Sequence, residues 1–277
     1  MRSTKIFILA AFLTIAALGS KAFIGAKLLS KTHNGAKGFA VVELFTSEGC
    51  SSCPPADVLV AKIEKENKDQ PVYVLAYHVD YWNRLGWKDA FSSADYSKRQ
   101  NEYAGYLHLR QIYTPQIVVN GKTEFVGSEE STLRNAIKTN LQLTSQVQLS
   151  LNVSSFGQGQ ANLKYHADGI DKNTVLMIAV LQKNAQTKVE RGENGGRTLS
   201  HVQIVRKLQR ISLNSNSGSV NISLPNGYEA TGWEIVGILQ NSSTGVITGA
   251  AKAEETNMHG WIRMATMEIV RNICVIK

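Results

Sequence analysis

Cysteine is scarce in this chain: Cys50, Cys53 and Cys274 are the only three among 277 residues. A small secreted scaffold stapled by disulfides carries more of them, at scattered spacings, so that class is excluded. Long apolar runs are scarce as well. Beyond residues 1–22 no segment approaches the roughly 20 apolar residues needed to cross a bilayer. Strong charge is lacking too. Of the formal +8, three charges belong to Arg2, Lys5 and Lys21 at the extreme N-terminus, and no basic cluster occurs elsewhere. Nucleic acid and anionic membrane surfaces are therefore not expected partners. No Ser-His-Asp order, zincin motif or dinucleotide fingerprint is present, which leaves hydrolase and dehydrogenase chemistry without support and no cofactor expected. Arg191-Gly192-Glu193-Asn194-Gly195-Gly196-Arg197 is glycine-rich but lacks the Lys-Ser/Thr ending of a phosphate loop. It reads as a turn braced by Arg–Glu pairing.

What is present describes a globular protein, with 43% hydrophobic and 19% charged residues. Arg2 and Lys5 precede an apolar stretch from Ile6 to Leu18, broken only by Thr14. Small residues at Ala17, Gly19, Ser20 and Ala22 then offer a cleavage site. Residues 1–22 are read as a signal peptide and the protein as periplasmic or secreted, with an uncleaved N-terminal anchor as the alternative. No stable membrane insertion is expected after cleavage. Residues 23–38 read as a linker.

From residue 39 the chain alternates strand-like and helix-like segments. Phe39–Phe45 and Val72–Val79 are apolar on both faces, as strands covered by helices are. Between them, Ala56–Lys68 is helical, with Leu59, Val60 and Ile63 on one face. Ser93–Tyr106 reads as a helix inside an aromatic-rich insertion. Ile112–Val119 and Thr123–Val126 flank Asn120-Gly121, a strong hairpin signal. Ser128–Leu141 reads as a closing helix. After Thr144 the texture changes to short β-type runs at Val147–Val153, Ala161–His166, Val175–Leu181, Ser219–Leu224, Trp233–Leu239 and Val246–Ala250. Turn signals separate them, and an antiparallel sandwich is expected over 145–253. Residues 254–277 form a tail of open role, in which Cys274 reads as a bystander.

The chemistry-bearing motif is Cys50-Ser51-Ser52-Cys53, set between the first strand and the helix that begins near Pro54. Backbone N–H groups and the dipole at a helix start favour a thiolate over a thiol. By position Cys50 is the attacking sulfur and Cys53, one turn in, the resolving one. Pro54 falls where its missing N–H costs little. The pair also admits a structural bridge or part of a metal site.

This order resembles a thioredoxin-like fold with an insertion between its second and third strands. The match is carried by Cys50–Cys53 after the first strand and by Tyr113-Thr114-Pro115 before the third. The resemblance implies an α/β thioredoxin-like domain with a helical insertion over 39–144, followed by a mostly antiparallel β-sandwich domain. It also implies a cis peptide at Pro115, with Thr114 turned towards an extended substrate. More specifically, Val42–Asp57, His78–Lys88, Tyr113–Gly121 and Arg191–Arg197 resemble the bacterial family catalogued as domain of unknown function 1223. That resemblance spans residues 39–252 and implies an exported protein, without an activity.

The implied catalytic set is Cys50, Cys53 and Pro115, with Thr114 and Trp82 towards substrate and a Cys50–Cys53 disulfide in the oxidised form. Glu43 and His78 are candidates for moving protons, although strand alternation aims Glu43 at the opposite face, where it would serve as an ion-pair member. His78 also fits a hydrogen-bonded strand-end role, and His201 and His166 read as surface or sheet residues. Three readings follow: a thiol–disulfide oxidoreductase acting on protein or small-thiol disulfides; a copper(I) or zinc chaperone using Cys50, Cys53 and His78; and an interaction protein with an inert disulfide.

Overall fold

The computed structural model describes residues 36–255. A two-residue strand, β1 (Ala36–Lys37), leads into β2 (Ala40–Thr46), whose seven side chains are all buried. Alternate residues of β2 serve two different cores. Ala40, Val42 and Leu44 face Ala56, Leu59, Val60 and Ile63 of α1 (Pro54–Glu66), which recur at helical i, i+3, i+4, i+7 spacing. Val41 and Phe45 face the other way, towards Tyr96 and Tyr103 of α2 (Ala94–Tyr106). Ser93 caps α2 by accepting a hydrogen bond from the Asp95 N–H.

β3 (Val72–His78) runs parallel to β2, from Ala40 opposite Val72 to Thr46 opposite His78. β4 (Gln116–Val119) and β5 (Thr123–Val126) form the hairpin expected from Asn120-Gly121. Both turn residues are left-handed, with φ of 49° and 65°, the conformation a tight hairpin of this hand requires. α3 (Glu130–Gln142) then packs Leu133 and Ile137 against the core of α1. It starts at Glu130, with Glu129 rather than Ser128 in the cap position.

The second half is β throughout: β6 (Thr144–Ser145), β7 (Gln148–Gly157), β8 (Gln160–Asp168), β9 (Thr174–Lys188), β10 (Thr198–Ser212), β11 (Ser217–Ser223), β12 (Trp233–Asn241), β13 (Ile247–Lys252) and β14 (Glu254–Glu255). These strands do not build a separate sandwich. One eight-stranded sheet runs β13-β12-β9-β10-β3-β2-β4-β5 through both halves, and a four-stranded sheet, β11-β8-β7-β14, covers part of it. Leu151 and Leu163 of the smaller sheet pack on Leu176, Ile178 and Ile235 of the larger.

The expectation of a thioredoxin-like α/β domain followed by an independent β-sandwich is therefore corrected. Strands take up 46% of the structure and helices 19%, in sheets of eight and four strands, so the protein is mostly β. The physical reason lies at β3. Its edge away from β2 is filled by β10, which runs parallel to it with Ile204 opposite Ala76. No strand is read from the sequence over 198–212, because Arg206, Lys207 and Arg210 interrupt its alternation. Yet that stretch joins the halves.

A buried polar network crosses the same seam. Arg99 of α2 donates to Glu43 of β2 at 2.6 Å, to Tyr103 at 3.0 Å and to Gln240 of β12 at 3.2 Å, and Tyr103 donates to Glu43. Glu43 is fully buried, so removing its partner leaves an unpaired charge in the core. Arg99→Met is expected to lower stability by about 3–5 kcal/mol. Combining it with Glu43→Leu is expected to recover much of that loss. Urea denaturation midpoints of the two variants check the difference.

Candidate functional site

The segment after β2 turns tightly into α1. Cys50 N–H donates to the Ser47 carbonyl at 3.2 Å, and Cys53 N–H to the Cys50 carbonyl at 3.2 Å. Cys53 occupies the cap position, with Pro54 and Pro55 opening the helix where no N–H is needed. Cys50 and Cys53 are joined in a disulfide, their Cα atoms 5.4 Å apart.

Several sequence-chosen residues gather around this bond. The Thr114–Pro115 peptide is cis. The Thr114 carbonyl oxygen lies 3.8 Å from the Cys50 sulfur. Trp82 donates its indole N–H to the Thr114 hydroxyl at 2.8 Å. Trp82 also rests on Gly49: a Cβ there would stand 3.2 Å from its own Cβ. Glu43 lies apart from them, because strand alternation turns it to the α2 face, where Arg99 and Tyr103 occupy its carboxylate.

The cysteine turn is contacted from the second half. Cys50 is 1% exposed and Cys53 0%, whereas Ser51 and Ser52 between them are exposed. The 191–197 loop straps the motif down. Glu193 accepts a hydrogen bond from the Ser51 N–H at 2.9 Å, and the Ser51 hydroxyl together with that N–H holds its carboxyl below the usual range. Asn194, fully buried, donates to the carbonyls of Glu48 and Cys50, each at 2.9 Å. Arg197 donates to the Asn194 side-chain oxygen at 2.6 Å. The expected Arg–Glu brace is thus replaced by contacts to the cysteine turn itself. A local reading cannot see partners more than 140 residues away.

Behind the disulfide sits a set of buried titratable groups. His78 pairs through Nδ1 with Asp89 at 2.7 Å. Asp89 also accepts from the Glu48 N–H at 2.9 Å. Burial works against its charge, but His78 and the backbone donors outweigh burial and hold its carboxyl below the usual range. Trp87 donates its indole N–H to Glu48 at 2.7 Å. His201, read from the sequence as a surface or sheet residue, is 2% exposed and its ring stacks edge-on against His78, with centroids 4.8 Å apart. It lies 3.5 Å from Glu48 and 3.9 Å from Asp57. Burial alone would depress its pKa; the two carboxylates outweigh that and raise it to about 9.

Glu48, Asp57 and Asp89 were not singled out in the sequence, and His201 was not read as part of a site. One signal was available: Glu48 and Asp57 flank the cysteine pair closely, two residues before Cys50 and four after Cys53. Cys50, Cys53 and His78 do not converge as ligands, since the sulfurs bond to each other and His78 faces Asp89. Among the described residues no group of three or more His, Cys, Asp or Glu side chains has metal-holding geometry. The proposed signal peptide and Cys274 lie outside the described residues.

Fold and site together define a mostly β protein with two large sheets and a buried Cys-x-x-Cys disulfide at a helix start. The chain belongs to the family described as protein of unknown function (DUF1223), which matches residues 41–240. It is similar to the crystal structure of protein AGR_C_4864 from Agrobacterium tumefaciens, at 26% identity and a TM-score of 0.61, covering 80% of this chain and 96% of that one. A domain of the outer membrane lipoprotein Omp28 from Porphyromonas gingivalis matches at 9% identity and a TM-score of 0.24, covering 40% of this chain and 98% of that domain, a likeness too low to carry an argument. No curated protein matches the chain. No helix among the described residues is long and apolar enough to cross a membrane.

Two outcomes follow from this geometry. Asn194→Ala strips the donor from two backbone carbonyls and is expected to cost about 1–3 kcal/mol, read from urea midpoints. The His201 imidazolium contributes stability that is complete below its unfolded pKa of 6.5 and lost as pH rises through about 9. The loss, up to about 3 kcal/mol, is expected in urea titrations between pH 7 and 10. His201→Gln should flatten that slope.

Proposed function

We propose that the protein is an exported thiol–disulfide exchange protein acting through Cys50 and Cys53 on protein or small-thiol disulfides. The observation that carries this reading is the place of the bond: a three-residue-spaced disulfide closed at the start of α1, with the Cys50 sulfur against the Thr114 carbonyl. On attack, Cys50 forms the mixed disulfide and Cys53 is released at the cap of α1. Thr114 and Trp82, linked by their hydrogen bond, form the wall against which a partner chain would lie. Export is supported by the basic and apolar N-terminal segment and by a disulfide that an oxidising compartment preserves.

In this reading the 191–197 loop restrains the exchange. The Glu193 carboxylate occupies the Ser51 N–H, a donor that a Cys50 thiolate at the helix start could otherwise use. Partner access therefore begins with displacement of Glu193 and Asn194.

The burial of both sulfurs favours a second reading, a structural bridge that never opens. A redox titration separates the two. A potential between about −120 and −270 mV supports exchange, and one below about −300 mV supports the bridge. Under exchange, Glu193→Ala is expected to raise the rate of reduction by a small thiol several-fold, followed by alkylation and mass measurement. An unchanged rate would count against the strap.

A further inference from the structure

The five buried titratable groups behind the disulfide come from separate segments: Glu48 precedes the cysteines, Asp57 is on α1, His78 ends β3, Asp89 precedes α2 and His201 is on β10. Keeping so many ionisable side chains out of water is costly unless they are paired. His78 meets that condition at Nδ1 through Asp89, and Glu48 at Oε2 through Trp87, each leaving one other buried atom without a hydrogen bond. His201 is different. Both of its ring nitrogens are buried without a hydrogen bond, although a carboxylate stands near each. A purely structural histidine would be held by its nitrogens. This one is held by charge.

Disulfide exchange creates a need for such a group. A partner thiolate attacking Cys50 forms a new sulfur–sulfur bond to it and breaks the Cys50–Cys53 bond. The electron pair leaves on Cys53 as a thiolate, and Cys53 is fully buried, out of reach of stabilising water. Asp57 lies one helical turn beyond Cys53, with its N–H on the Cys53 carbonyl at 3.2 Å, so the two side chains share a face of α1. Asp57 Oδ2 lies 3.9 Å from His201 Nδ1 and accepts a hydrogen bond from the Thr46 hydroxyl at 3.4 Å.

We propose that His201, acting through Asp57, supplies the proton that neutralises the Cys53 thiolate, and takes it back when the disulfide re-forms. The proton passes from His201 Nδ1 to the Asp57 carboxylate and on to the Cys53 sulfur, leaving a neutral imidazole and a thiol. Charge and protons balance, and the thiol partner is the only co-reactant. His201 is a positioning residue here, since Asp57 is its contact towards the sulfur. The inference rests on the exchange reading. His201 rather than His78 is assigned because it is His201 that lies beside Asp57, whereas His78 is paired with Asp89. Arg206, a cation near the cluster, lies over the Phe91 ring at 5.0 Å, and Phe91 packs against both histidines. With its pKa near 9, His201 carries the proton at neutral pH.

The test measures reduction of the full chain by dithiothreitol from pH 6 to 10.5, expressed per dithiothreitol thiolate, for the unaltered protein and for His201→Gln. In parallel, nitrogen NMR follows the His201 imidazole in the disulfide and dithiol forms of the unaltered protein. The per-thiolate rate should hold to about pH 8 and fall about tenfold by pH 10. His201→Gln should lower the rate at pH 7 by about tenfold or more and remove that fall. The His201 titration should move between the two redox forms. A reactive disulfide whose rate and pH profile survive His201→Gln overturns the role of His201 alone. So does a His201 titration identical in both forms, which decides the matter even if His201→Gln does not fold. A disulfide that fails to react at any pH overturns the exchange reading, and the proton role with it.

Discussion

The structure depends on how one edge of β3 is filled. β2 takes one side of that strand, and an exposed edge on the other would leave a row of unpaired backbone groups beside an apolar core. β10 closes it by running parallel, with Ile204 against Ala76. That pairing brings in the rest of the second half, because β9 pairs with β10 along nearly its whole length and β12 pairs with β9. The loop of Glu193 and Asn194 leads directly into β10, and His201 lies near the start of the strand. A backbone pairing thus delivers both the strap over the cysteines and the imidazole behind them.

The disulfide is consequently enclosed by parts of the chain remote in sequence. α1 supplies its backbone geometry, the Thr114–Pro115 segment its near wall, and the 191–197 loop its cover. In the exchange reading two elements bear on the bond separately: the helix start acts on the released sulfur, and the loop of Glu193 and Asn194 acts on what reaches the cysteine turn. Buried charge is distributed in the same way on the two faces of the large sheet. Arg99 and Glu43 hold the α2 face and tie it to Gln240, while the histidines and carboxylates sit beside α1. Each cluster draws on both halves, which makes the halves energetically dependent on one another.

The local features were legible because their causes are local. Ala56, Leu59, Val60 and Ile63 mark a helix by spacing, Asn120-Gly121 marks a hairpin by its tolerance of positive φ, and the cysteine spacing allows a disulfide. Alternation also aimed Glu43 away from α1, the face on which it is found. The second half was harder. Its strands were largely visible, but β10 was hidden by Arg206, Lys207 and Arg210, whose charges break the alternation. Without β10 the remaining strands read as a domain of their own. His201 suffered the same fate: a lone histidine among polar and apolar neighbours gives no sign that two carboxylates await it.

By itself the sequence determined the positions of α1, α2, β2 to β5 and the cysteine pair, and placed the chain in its family through motifs confined to short stretches. The tertiary structure alone decided that the two halves share one sheet, that the cysteines are covered, and that Glu48, Asp57, Asp89 and two histidines meet behind them. The physical reason is range. Helix periodicity, turn conformation and strand alternation act between near neighbours, whereas edge pairing and the joint burial of charges arise between residues more than a hundred positions apart.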